Sequence, residues 1–210
     1  MNDSFITVRG KASDEVTIQK SRFIGYVSPC MSENDALAFI RELREKHHDA
    51  RHHCYAYIIG QNSGIMRYSD DGEPGGTAGL PMMDLLKNQK IVNCCVVVVR
   101  YFGGILLGTG GLVRAYSQGC RLALEAAGIV RMEFSSLIQC VVSYSLWNTV
   151  QYALQKMPVQ LLSAEYLQHV AFILAVRKAD TEKVLSLLKN LSDGKMEFEI
   201  LAEEFRPWNL

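Results

Sequence analysis

The chain lacks a charge excess of either sign: lysine plus arginine and aspartate plus glutamate number 22 each. Nonspecific coating of nucleic acid needs a clear cationic surplus, so in bulk that class is excluded and only a local basic patch stays open. The six cysteines, Cys30, Cys54, Cys94, Cys95, Cys120 and Cys140, form no C-x-x-C pair. Several sit in apolar stretches, where a thiol behaves as a small hydrophobe, and a reducing compartment without disulfides is expected. The N-terminus lacks a basic-then-apolar leader, and no apolar run reaches membrane-spanning length. A soluble, cytoplasmic protein with no membrane partner is expected. With 49% hydrophobic and 21% charged residues, global disorder is excluded and there is ample material for a packed core. The 210 residues suit one large domain or two small ones.

What is present is organised around Val96–Tyr116, VVVVRYFGGILLGTGGLVRAY. The valine run reads as a strand buried on both faces. Glycines at 103, 104, 108, 110 and 111 allow backbone conformations closed to other residues. Apolar residues at helical spacing follow, and Thr109 is the expected N-cap of a helix beginning near Gly110 and stopping at Gly128. A buried strand, a glycine turn and a helix N-terminus together can present unpaired N–H groups to an anion.

Elsewhere, residues 1–13 read as polar and frayed. Two short strands flank Lys20-Ser21-Arg22. Ser32 with Asp35 predicts a capping box opening a helix to about Lys46. Tyr55–Ile59 reads as a strand, Gly60–Gly79 as a long ordered loop, and Pro81 as the first turn of a further helix. After Arg131 the pattern becomes βαββαβ, with the last strand alternating Met196, Phe198, Ile200 and Ala202 against glutamates. An α+β chain of two domains, 1–132 and 133–210, is predicted.

Three polar stretches are candidate sites, all in the first half. Arg51, Arg100, Gly103, Gly104, Gly108, Thr109, Gly110, Gly111 and Arg114 suit an anion or RNA phosphate, through backbone amides and guanidinium groups. The plainer alternative is a tight turn in which glycines bring strand and helix close together. The turn lacks nucleotide-binding G-x-x-x-x-G-K-[ST] spacing. Asp70, Asp71 and Glu73 could act as metal-holding or general-base groups, with His52 or His53 moving protons; the alternative is backbone caps and arginine pairs. His47, His48, His52, His53 and Cys54 lack the second ligand pair of a structural zinc site. No metal or other cofactor is expected.

The stretches Ser21-Arg-Phe-Ile24, Ala50-Arg-His-His-Cys54, Ser69-Asp-Asp-Gly-Glu-Pro-Gly-Gly-Thr-Ala-Gly79, Val97-Val-Val-Arg-Tyr-Phe-Gly-Gly-Ile105 and Leu107-Gly-Thr-Gly-Gly-Leu-Val-Arg-Ala-Tyr116 together resemble the IMPACT/YigZ family. The resemblance implies an N-terminal α+β domain like domain IV of elongation factor G and a ribosomal-protein domain. It implies a ferredoxin-like C-terminal domain like domain V of that factor. Eukaryotic relatives modulate translation by competing for the activator of an initiation-factor kinase. They use an additional N-terminal domain for which this chain has no room, so that partner is not implied, and no enzymatic activity follows.

The leading expectation is a non-enzymatic, translation-associated protein contacting RNA phosphate or a ribosome-associated partner. The competing classes are an enzyme acting on a small phosphorylated or acidic metabolite, and a protein-interaction module using the open sheet face of the second domain.

Overall fold

The computed structural model describes residues 4–209. They fall into two compact units, 4–131 and 132–208, with Asn209 grouped with the first. The chain is mixed α+β in two domains.

The first unit contains β1 (Ser4–Val8), β2 (Ala12–Ile18), β3 (Ser21–Pro29), α1 (Glu33–Lys46), β4 (His52–Ile59), β5 (Ile65–Ser69), α2 (Gly79–Asn88), β6 (Cys94–Tyr101) and α3 (Gly108–Ala127). Five strands form an antiparallel sheet in the order β2-β3-β6-β4-β5, so the valine-rich β6 lies in the middle. Cys95, Val97 and Val99 face Ala36, Phe39, Ile40 and Leu43 of α1. The alternate residues face α3, where Val98 approaches Gly119. Burial on both faces explains why β6 is apolar without alternation. The approach of α3 is close enough that a Cβ on Gly25 of β3 would meet the carbonyl oxygen of Gly119 at 2.1 Å.

Three sequence expectations change here. Residues 4–8 are a strand, with Phe5 and Val8 buried and the amide of Val92 bonded to the Ile6 carbonyl at 2.9 Å. The polar residues of 1–13 flank this short apolar core segment and mask its signal; residues 1–3 lie outside the described part. The stretch 60–79 contains β5, an edge strand whose exposed Met66 and Tyr68 blur its alternation. Helix α3 starts at Gly108 with Leu107 as N-cap, and Thr109 makes no cap bond. The other helix signals follow the local chemistry. Ser32 and Asp35 form the capping box of α1, and Gly128 stops α3 at φ 72°.

The second unit runs β7 (Ile129–Val142), α4 (Tyr144–Leu154), β8 (Val159–Tyr166), β9 (Val170–Arg177), a 3₁₀ turn (Lys178–Asp180), α5 (Thr181–Leu191) and β10 (Glu197–Asn209), with β7 beginning in the first unit. Its strands pair in the order β10-β7-β9-β8. That is the ferredoxin-like arrangement, with α4 and α5 contributing Trp147, Val150, Leu154, Val184 and Leu188 to one core. Among the described residues, no helix is long and apolar enough to cross a membrane.

Candidate anion-binding site

Strand alternation sorts the polar residues before any of them meet. Successive side chains of a strand point to opposite faces. Arg100 therefore shares the α3 face with Val98, and the neighbouring strand sets His52 opposite Arg100 and Cys54 opposite Val98. His53 is turned to the α1 face. The two adjacent histidines are thus separated by the sheet itself.

The Arg100 guanidinium is buried, at 6% exposure, between the rings of Phe23 and Phe102, 5.4 and 5.5 Å away. Its Nη1 donates to Glu73 Oε1 at 2.7 Å, and the Tyr116 hydroxyl donates to the same oxygen at 2.7 Å. Arg100 Nε is buried and has no partner within the chain. His52 Nδ1 lies 2.8 Å from the Asp71 carbonyl, which can only accept, so Nδ1 carries the proton and Nε2 faces Glu73 at 4.0 Å. Burial pushes the Tyr116 hydroxyl far above its ordinary value, and the Cys54 thiol and Glu73 push it the same way. Tyr116 is therefore a fixed donor, not a base.

The loop after β5 delivers Glu73 to this place. Asp70 accepts from the amides of Gly76, Ala78 and Gly79 at 2.8, 3.0 and 2.8 Å, capping α2 and closing the loop. Asp71, at φ 42°, points the other way, accepting from Arg44 Nη2 and from the amide of His53 at 2.7 Å each. Each of the three carboxylates is therefore engaged by amides, arginines or a tyrosine hydroxyl. Among the described residues no group of three or more histidines, cysteines or acids could hold a metal ion. The Cys54 thiol, raised far above its usual range mainly by burial, lies 2.9 Å from the Asp70 carbonyl oxygen and is no nucleophile.

Helix α3 supplies the cationic end. Its N-cap gives no side-chain bond, and among the described residues no hydrogen bond runs from the amides of Gly108, Thr109 or Gly110 to groups outside the helix. Twenty residues of aligned peptide dipoles place a partial positive charge there. Gly108 and Thr109 line a cleft of about 390 Å³ shared with Arg51, His52, Glu73, Arg100 and Leu112. Exposed Phe102 and Leu106 form an apolar rim on it.

The structure brings together Arg51, His52, Glu73, Arg100, Gly108 and Thr109. Gly110 and Gly111 complete the first helical turn, and the missing Cβ of Gly111 leaves room for Leu107. Gly103 serves packing: a Cβ there would sit 2.0 Å from the Lys20 backbone, and its amide is taken by Ser21 Oγ. Gly104 turns the chain at φ 86° in open space. Arg114 is exposed one turn further along α3, outside the cleft. His53, Asp70 and Asp71 are not in the cleft lining. Sequence reasoning missed Tyr116 and Phe23, whose polar and cation-facing roles look like ordinary core spacing in one dimension.

Residues 19–124 match the family described as the Impact N-terminal domain, and residues 140–195 match a domain of unknown function, DUF1949. The chain is 35% identical over 199 residues to "IMPACT family member YvyE" of Bacillus subtilis, covering 95% of this chain and 92% of that protein. It is 38% identical over 189 residues to an "IMPACT family member" of Haemophilus influenzae, covering 89% and 92%. A "Protein IMPACT homolog" of Saccharomyces cerevisiae is 34% identical over 100 residues, which is 46% of this chain and 39% of that protein. A solved structure titled "Crystal structure of an hypothetical protein" aligns with a TM-score of 0.61 at 32% identity, covering 97% of this chain and all of that one.

Proposed function

The chain belongs to the IMPACT family, and from that premise we propose a translation-associated binding protein, cytoplasmic and non-enzymatic, whose cleft takes a phosphate group of RNA. The division we propose for this work is residues 1–132, carrying the cleft, and 133–210.

The observation that carries the reading is the pair of free α3 amides, on Gly108 and Thr109, in the lining of the same cleft as Arg51 and the buried Arg100. Backbone amides at a helix N-terminus suit a phosphate oxygen, and arginine adds charge-assisted bonds. The Glu73 carboxylate belongs to Arg100 and Tyr116, so the repulsion it would exert on an anion is largely neutralised. The unpartnered Arg100 Nε is a donor left over at that place. The competing enzyme reading loses support because Asp70 and Asp71 are engaged elsewhere and His52 and His53 lie on opposite sides of the sheet.

Filter binding of a structured RNA at low salt, with inorganic phosphate as competitor, tests the reading. Arg51→Ala and Thr109→Glu are both at exposed positions, so the fold is spared. Each is expected to weaken RNA binding severalfold or more, with the glutamate variant weaker because it sets a carboxylate among the amides. Unchanged binding in both variants, or no binding by the parent protein, overturns the proposal.

A further inference from the structure

We propose that the ligand of the cleft is a single strand of RNA whose following phosphates run along the exposed face of α3, past Arg114 to Arg121; this rests on the cleft being a phosphate site. The surface is continuous. The cleft ends at Leu107, which also lines a second concavity with Ile18, Gln19, Gly111, Arg114 and Gln118. That concavity shares Arg114 and Gln118 with a third, which reaches Arg121. Neither of the two outer concavities is lined by an acidic residue.

Positions 114, 118 and 121 lie on one helix face by the 3.6-residue period, and all three side chains are exposed. From Gly108 to Arg121 the helix rises about 20 Å, at ~1.5 Å per residue. One phosphate or one mononucleotide cannot span that distance, whereas a strand carrying a phosphate at every nucleotide can. Lys20 adds a cation beside the turn: its backbone packs against Gly103, and its side chain is exposed. The nearby acids bound the path without entering it. Glu15 of β2 is paired with Arg22, Asp14 Oδ1 accepts from the Glu15 amide, and Glu125 lies one turn beyond Arg121. The charge balance of the whole chain is therefore compatible with one cationic stripe.

The strand is single because the cleft end offers a ring rather than a groove-filling element. Phe102 is 47% exposed on the cleft rim beside Leu106, which is 84% exposed. An unstacked base can lie on such a ring, and single-stranded sites combine a basic track with aromatic platforms. A paired base in an A-form helix does not present its face.

The test is filter binding of an unstructured twelve-nucleotide RNA over a salt series, alongside the same sequence paired in a duplex and a free mononucleotide. The variants are Arg114→Ala/Arg121→Ala, Phe102→Ala and Arg51→Ala, with thermal melting as the folding control. The double variant is expected to flatten the slope of log K against log salt by about 1.4, from ~0.7 per phosphate released on a single strand. Phe102→Ala is expected to weaken the single strand roughly tenfold and leave the duplex unchanged. If Arg51→Ala weakens binding while the double variant keeps the parent slope, the track is overturned and the cleft stands. Equal affinity for the mononucleotide, or preference for the duplex, also overturns the track. If neither Arg51→Ala nor the double variant has any effect, both readings fall.

Discussion

Replacing Asp70 tests how the cleft is held. Its carboxylate closes the 70–79 loop by accepting three amides, at 2.8, 3.0 and 2.8 Å. Two of those donors, on Ala78 and Gly79, belong to buried residues, so water does not readily replace the lost acceptor. Each buried donor left unsatisfied costs about 1–3 kcal/mol, which gives ~4 kcal/mol for Asp70→Ala. In Asp70→Asn one oxygen can still accept from the Ala78 and Gly79 pair, while the amide NH₂ faces the donor of Gly76. The expected cost is about half as large. The consequence extends to Glu73, three residues on, whose place beside Arg100 depends on the closed loop. Both tryptophans, Trp147 and Trp208, lie in the second unit and do not report on this loop. Native-state amide exchange read by mass spectrometry does. Protection of residues 76–79 is expected to fall by about a thousandfold in Asp70→Ala and by some thirtyfold in Asp70→Asn, at ~1.4 kcal/mol per factor of ten. Protection of residues 76–79 in Asp70→Ala within threefold of the parent would refute the assignment of Asp70 as the loop's anchor.

Gly25→Ala places a methyl group 2.1 Å from the Gly119 carbonyl oxygen and is expected to cost about 3 kcal/mol or more. Gly10→Ala meets nothing within 4 Å, and equal urea midpoints for the two variants would overturn the close-packing account. Burial is the main cause lowering the proton affinity of His53 and His47 below the ordinary 6.5. The unfolded chain then binds more protons than the folded one. Stability from these groups is full above 6.5 and is lost as pH falls through the depressed folded values. Urea midpoints by circular dichroism are expected to decline on acidification through this window, less steeply in His53→Gln, and identical pH dependence in the variant would count against the burial of His53. Burial pushes the thiols of Cys30 up to about 11 and of Cys120 and Cys140 up to about 12. The six cysteines are accordingly expected to resist alkylation at about pH 8 in the folded protein and to react in denaturant, and stoichiometric labelling of the folded chain would contradict this.

Much of the fold was legible where the signal is local. Ser32 and Asp35 announce the start of α1, Gly128 the end of α3, and the Val96–Val99 run a strand covered on both sides. The elements misread are those whose burial is partial or non-local. Strand β1 is short and flanked by polar residues, and β5 is an exposed edge with weak alternation. Thr109 has a capping side chain, but the turn geometry starts the helix two residues earlier than expected, at Gly108, and leaves Thr109 inside it. The cleft residues were identifiable by type, since arginines, histidines and carboxylates gathered near a glycine turn. Their partners were not.

The sequence by itself determined most of the elements, the α+β class, the family and the strand-to-helix turn from which α3 emerges. Those follow from periodicity, caps and long motif matches, all of which are properties of neighbours along the chain. Tertiary structure alone decided which polar groups remain available. Glu73 is taken by Arg100 and Tyr116, Asp70 by three amides and Asp71 by Arg44, while Arg51 and the first amides of α3 face the cleft. The physical reason is that a hydrogen-bonding group is engaged or free according to what lies within about 3 Å of it in space. Residues 27 and 43 positions apart along the chain made that choice for Glu73.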